Sequence, residues 1–343
     1  MKTKLISFVI AETNRPKKIK EATPVQTKKS APHYFEISVP HPFISKQEKI
    51  SILNHEGVLN LKTYRSDFLL AEVVLDDLEF FSKDIMSFKE KAIELCRNAL
   101  VENGGRDVSE YSEEYSFFLV YDYKGKPEQF LTHKEKIAAL LKSEKLNLDP
   151  KEIEHSFSFS IKYAQHDLLV VDWDGAFLFD PEGDYESTLE LLEVANLQLL
   201  RYRLLDKQLD ERLANITKLI EKSSVKAKLL FKTREINQNL KDIMLARSKS
   251  IFELQALDRD IKLIGDWYSA RLYDLVAKKC KLDEWRRTVK EKLDALEDVY
   301  GVASENFTVS WEQRSRIIEM VGWYVLLFGW LILLLLDIYF YRK

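Results

Sequence analysis

The chain has 343 residues, 46% of them hydrophobic and 31% charged, which supports folded domains and excludes a disordered or collagen-like polymer. Fifty-two Lys+Arg against 55 Asp+Glu leave a net charge of −3, so global charge does not point to a nucleic-acid binder. Only two cysteines, Cys96 and Cys280, exclude a disulfide framework and the multi-cysteine zinc patterns.

Residues 1–32 carry eight Lys/Arg against two Glu, with Pro16, Pro24 and Pro32. This stretch reads as a flexible basic arm. The apolar run Leu5–Ala11 is short and lacks a clear cleavage site after it, so no signal peptide is expected and the body should stay in the cytoplasm.

Residues 33–181 mix strand and helix patterns. Strand candidates are Tyr34–Val39, Val58–Tyr64, Phe68–Leu75, Tyr115–Tyr123, Phe157–Tyr163, Leu168–Asp172 and Ala176–Phe179. Helix candidates are Lys83–Val101 and Thr132–Lys145. Several strands interrupted by two helices predict an α+β domain.

Within it, Leu168-Leu-Val-Val-Asp172-Trp173-Asp174-Gly175 resembles the first motif of haloacid-dehalogenase-like phosphatases. The resemblance implies Asp172 as nucleophile, Asp174 as general acid/base and Mg²⁺ to neutralise the phosphate. That chemistry needs a central strand of a parallel sheet and later loops that supply a Lys and more acids, whereas only helices follow here. A β-hairpin turning at Asp-Gly, with Leu168–Asp172 paired to Ala176–Phe179, is the favoured reading. The six histidines show no ligand spacing. No catalytic residue, metal ligand or cofactor site is expected, and the phosphatase is kept as the alternative.

After Pro181 there are no further prolines, and Leu recurs at helical spacing. One apolar line runs from Leu189 through Asn196 to Ile220, another from Leu254 to Tyr300. Residues 182–316 therefore read as a long coiled-coil-like stalk that self-associates into a homo-oligomer. Asn196 on its apolar line is a register-setting candidate. A basic stripe, Lys218, Lys222, Lys226, Lys228, Lys232 and Arg234, could meet a protein or ribosome partner, though a solvated helix face explains it as well.

Residues 317–343 predict one transmembrane anchor. Met320–Leu336 is an uncharged run of seventeen residues, and at ~1.5 Å per residue the apolar stretch reaches across a bilayer core. Trp323, Tyr324, Leu327, Trp330, Leu334, Tyr339 and Tyr341 are its anchor candidates, the aromatics near either end suiting the lipid–water interface.

A family resemblance rests on Asp172-Trp-Asp-Gly-Ala, on Leu192–Asp206 with Asn196 and Gln198, on Ile264–Tyr273 with Asp266 and Arg271, and on Leu282–Trp285 and Lys292–Tyr300. Over residues 165–341 the chain resembles the "required for meiotic nuclear division" family, also called YagE-like. The resemblance implies a membrane-anchored protein without established catalysis, at the mitochondrial inner membrane if eukaryotic, supporting organellar translation. The reading as a whole is a tail-anchored scaffold or tether bound to membrane lipid, with no small-molecule substrate.

Overall fold

A computed structural model describes residues 1–13, 23–24, 43–64, 67–225, 245, 248, 251–252, 254–255 and 267–341. The strand candidate Tyr34–Val39, together with Lys226, Lys228, Lys232, Arg234 and Asp266, lies outside them.

The strands are β1 (Lys2–Glu12), β2 (Thr23–Pro24), β3 (Phe43–Ile52), β4 (His55–Tyr64) and β5 (Phe68–Asp76), followed by β6 (Ser112–Tyr121), β7 (Ser160–Ile161), β8 (Leu168–Val171) and β9 (Gly175–Phe179). The helices are α1 (Ile85–Glu102), α2 (Lys134–Leu141), α3 (Pro150–Ser158), α4 (Glu186–Val225), α5 (Trp267–Lys279) and α6 (Leu282–Tyr341). Among the described residues the strands form one sheet in the order β2-β3-β4-β5-β1-β6-β9-β8-β7. Neighbours are antiparallel except β6 and β9, which run parallel from Ser116↔Gly175 to Val120↔Phe179.

β1 corrects the reading of residues 1–32 as a flexible arm. It sits between β5 and β6, with Leu5, Ile6, Phe8, Val9 and Ile10 at most 1% exposed. A strand covered on both faces is a continuous apolar run with no alternation to reveal it. The predicted strand Phe157–Tyr163 is also corrected, because α3 extends to Ser158 and strand pairing is confined to Ser160 and Ile161. The helix starts where Asp149 accepts a hydrogen bond from Lys151 N–H at 2.9 Å and Pro150 occupies its first turn, a strong local start signal.

One face of the sheet carries Leu5, Val9, Val73, Phe118, Phe177 and Phe179, packed with Ile93, Cys96 and Leu100 of α1 and Leu140 and Leu141 of α2. The buried residues of α1 recur as Ile85, Lys89, Ala92, Ile93, Cys96, Ala99 and Leu100, the stripe of an amphipathic helix. On the other face Ile6, Phe8, Ile10, Phe117, Leu119 and Leu178 are equally buried. Their cover is helical and comes from beyond the predicted head boundary at Pro181.

The chain divides into two compact units, Met1–Lys207 with Phe252–Val289, and Gln208–Ile251 with Lys290–Lys343. The first part of α4 and all of α5 therefore belong with the sheet. Every residue from Leu191 to Leu200 is buried, so this stretch of α4 is a core helix covered all round and not the narrow seam of a coiled coil. Leu272, Tyr273 and Val276 of α5 are buried in the same unit. In the second unit Leu209, Leu293 and Leu296 are buried, and Lys292 Nζ lies 2.7 Å from Asp210 Oδ1. The apolar lines expected to drive self-association are thus buried within one chain at these positions, and the described residues do not show a long coiled-coil stalk.

Candidate functional site

The Asp-x-Asp-Gly motif folds as a two-residue hairpin. Asp172 N–H donates to Gly175 O at 2.8 Å, leaving Trp173 and Asp174 at the tip between β8 and β9. Gly175 is required by close approach, since a Cβ there would lie 2.6 Å from Ser116 O. The β8–β9 pair is antiparallel, so β8 lacks the parallel neighbours that the first phosphatase strand needs.

Asp172 is 1% exposed and held from several sides. Lys279 Nζ lies 2.7 Å from its Oδ1, and Lys142 Nζ lies 3.3 Å from its Oδ2. Trp173 N–H donates to Oδ1 at 2.7 Å, and Tyr115 OH donates to the Asp172 carbonyl at 3.1 Å. Burial pushes the carboxyl up, but Lys279, the Ser156 hydroxyl and Trp173 N–H outweigh it and hold it below the usual range. The carboxylate is thus clamped by two ammonium groups and nearly shut off from solvent. Lys279 also lies over the Phe159 ring, 4.4 Å from its centroid, and Lys142 reaches Glu152 at 2.6 Å. The arrangement ties α2, α3 and α5 to the hairpin turn.

Asp174 is half-buried, and burial raises its carboxyl despite the nearby Lys89 and Ser143. Lys89 spans from α1 to the end of α2, donating to Leu140 O at 2.9 Å and to Ser143 Oγ at 2.6 Å. Burial lowers its ammonium to about 8, with Asp174 opposing. Among the described residues no three His, Cys, Asp or Glu side chains are grouped as metal ligands.

The other motif residues do not join this turn. Asn196 is buried and donates to Leu192 O of its own helix at 2.8 Å. Gln198 Oε1 accepts from Tyr273 OH, which links α4 to α5. Arg271 stacks over Trp267, 5.6 Å from the ring centroid, and Trp285 lies in the first turn of α6, half-buried. Lys218 is exposed on α4, and Lys222 lies in the same helix. Sequence reasoning missed Lys89, Lys142 and Lys279, and also Lys62 and Glu72 under α4 and Glu193 on it. The available signal, for Lys62, Glu72 and Glu193, was a charged residue inside an apolar stretch.

The outlying feature is the end of α6. Ser315–Leu336 has a mean hydropathy of 2.1 and none of it is buried. Trp323, Tyr324, Leu327 and Trp330 are 69%, 65%, 58% and 68% exposed. Tyr339 and Tyr341 continue the same helix. This is one candidate membrane-crossing helix by length and composition.

Fold and site together define an α+β protein with one such helix among the described residues. The family model described as "Uncharacterized protein MJ0711, N-terminal domain" matches residues 11–186, just over half of the chain, and the protein belongs to that family. It is 26% identical over 269 residues to "Uncharacterized protein MJ0711" of Methanocaldococcus jannaschii, a match that covers 78% of this chain and 79% of that protein. No solved structure matches. These matches overturn the resemblance to the "required for meiotic nuclear division" family, on which alone the expected mitochondrial inner membrane and organellar translation rested. The runs that carried it, such as Leu192–Asp206, belong to buried Leu-rich helix, whose spacing unrelated core helices share. The family match ends at the start of α4, whereas the sheet's second layer lies beyond it.

Proposed function

We propose that this protein is a membrane-anchored scaffold without catalytic activity, its α+β head held at the bilayer surface by Ser315–Leu336. The observation that carries the reading is the Ser315–Leu336 segment itself, uncharged from Met320 to Leu336 and with none of its length buried. Leaving such side chains in water forgoes about 1.5–3 kcal/mol for each large one, and a bilayer core recovers it. The head is assigned to the cytoplasm, where its two free, buried cysteines suit a reducing compartment. Lys218 is the described, exposed member of the basic stripe through which a protein or ribosome partner would be met. Against the phosphatase alternative stands the clamped Asp172 carboxylate.

The test is fractionation. The full chain should pellet with membranes and resist carbonate extraction. Full-length protein carrying Leu327→Arg and Leu331→Arg, and a truncation before Ser315, should both become extractable. Carbonate-resistant association of the truncated protein would refute the single-anchor reading.

A further inference from the structure

Beneath α4 the sheet holds a charge set that anchoring does not use. Lys62 Nζ lies 2.7 Å from Glu72 Oε2 and 2.7 Å from Glu193 Oε1. Tyr64 OH donates to Glu193 Oε2, and Asn60 Nδ2 donates to Glu72 Oε1 at 2.9 Å. Lys62 thus bridges the two carboxyl groups. All five residues are buried. Two carboxylates against one ammonium leave a net negative charge with no solvent to disperse it, and an uncompensated buried charge is strongly unfavourable.

We propose that Glu72 and Glu193 hold one proton between them in the folded protein, and that its loss weakens the seating of α4 on the sheet. The proton relieves the repulsion between two buried carboxylates that share Lys62, which balances the remaining charge. The facing groups are Lys62 and Tyr64 from β4, Glu72 from β5, and Glu190 from α4. Tyr185 faces Glu72 from the segment before α4, and the Cys96 thiol of α1 lies across the sheet from it. β1 presents the apolar Phe8 opposite Glu72. Burial pushes the Glu193 carboxyl up to about 7, Lys62 opposing and Glu72 adding to it. Glu72 is also penalised by burial, yet Lys62 holds it below the usual carboxylate range. The pair therefore gives up its proton near neutrality. The sign follows from linkage: where the seated helix binds the proton more tightly than the released one, seating weakens as pH rises.

The experiment is hydrogen exchange on the full chain in detergent, following amides of residues 189–200 with intrinsic rates removed. From pH 5 to pH 8 the opening constant of this stretch should rise on the order of 50- to 100-fold and then level off. Glu193→Gln imitates the protonated acid and should abolish that rise. Tyr64→Phe removes a donor to the Glu193 anion, so its midpoint should move up by about half to one pH unit; this variant carries the test if Glu193→Gln does not fold. Infrared spectra at pH 6 should show a protonated carboxylic acid C=O band that both Glu193→Gln and Glu72→Gln remove. Exchange of 189–200 independent of pH in the unsubstituted protein, or absence of that band, overturns the proposal.

Discussion

Lys279 Nζ, in the last turn of α5, lies 2.7 Å from Asp172 Oδ1 in the hairpin turn between β8 and β9. This contact fastens the helical layer to one end of the sheet, and both side chains are nearly excluded from solvent. Removing one partner leaves the other charge buried. Lys279→Met should therefore destabilise the protein by about 3–5 kcal/mol. Adding Asp172→Asn should recover part of that loss, because neither variant side chain carries charge. Denaturant unfolding of the single and double variants checks both expectations.

Gly175→Ala tests the parallel junction of β6 and β9. Its new Cβ would meet Ser116 O at 2.6 Å, a backbone atom that cannot rotate aside. The expected cost is about 2–4 kcal/mol, in the range of overpacking and backbone-strain effects. A melting temperature unchanged from that of the unsubstituted protein would show that the strands separate more easily than this packing implies.

The Asp172 clamp also predicts no phosphatase chemistry. Mg²⁺-dependent hydrolysis of a generic aryl phosphate should stay at the buffer rate for the full chain, and Asp172→Asn should change nothing in that assay. Turnover that Asp172→Asn abolishes would reinstate the phosphatase reading.

Lys89 gives a pH signature of opposite sense to that of Glu193. Its folded-state value is lowered to about 8, from the ordinary 10.5. Between those values the unfolded chain binds more protons than the folded one, so this group makes stability rise with pH. Asp172, held low, adds stability above the unfolded carboxylate range that is lost as pH falls through its folded value. The difference in unfolding free energy between the unsubstituted protein and Lys89→Met, measured from pH 8 to pH 10, should slope by close to one proton. A flat difference would mean that Lys89 titrates normally.

Much of the local structure was legible in the sequence because its signals are local. Val58–Tyr64 and Phe68–Leu75 carry β-branched and aromatic residues that mark strands, and Asp-Gly at 174–175 marks the turn that the hairpin makes. The helices after Pro181 and the apolar run at 320–336 were visible from composition alone. β1 was not, because burial on both faces removes alternation and the basic residues that follow dominate the average charge of 1–32. Nor was the extent of the head, since the need to cover Ile6, Phe8 and Phe117 exists only once β1 and β6 lie side by side.

The charges make the same division. Composition marked Asp172 and Asp174 as notable, but their chemistry depends on which cations arrive there. Lys142 and Lys279 come from α2's end and α5. Likewise Lys62, Glu72 and Glu193 stand in three elements whose pairing no spacing rule encodes. The sequence by itself determined most element types, the turn and the membrane-length helix, because these follow from propensity and hydropathy over neighbouring residues. Only the tertiary structure decided that Asp172 is clamped and that α4 is core, because burial and ion pairing depend on residues far apart in the chain.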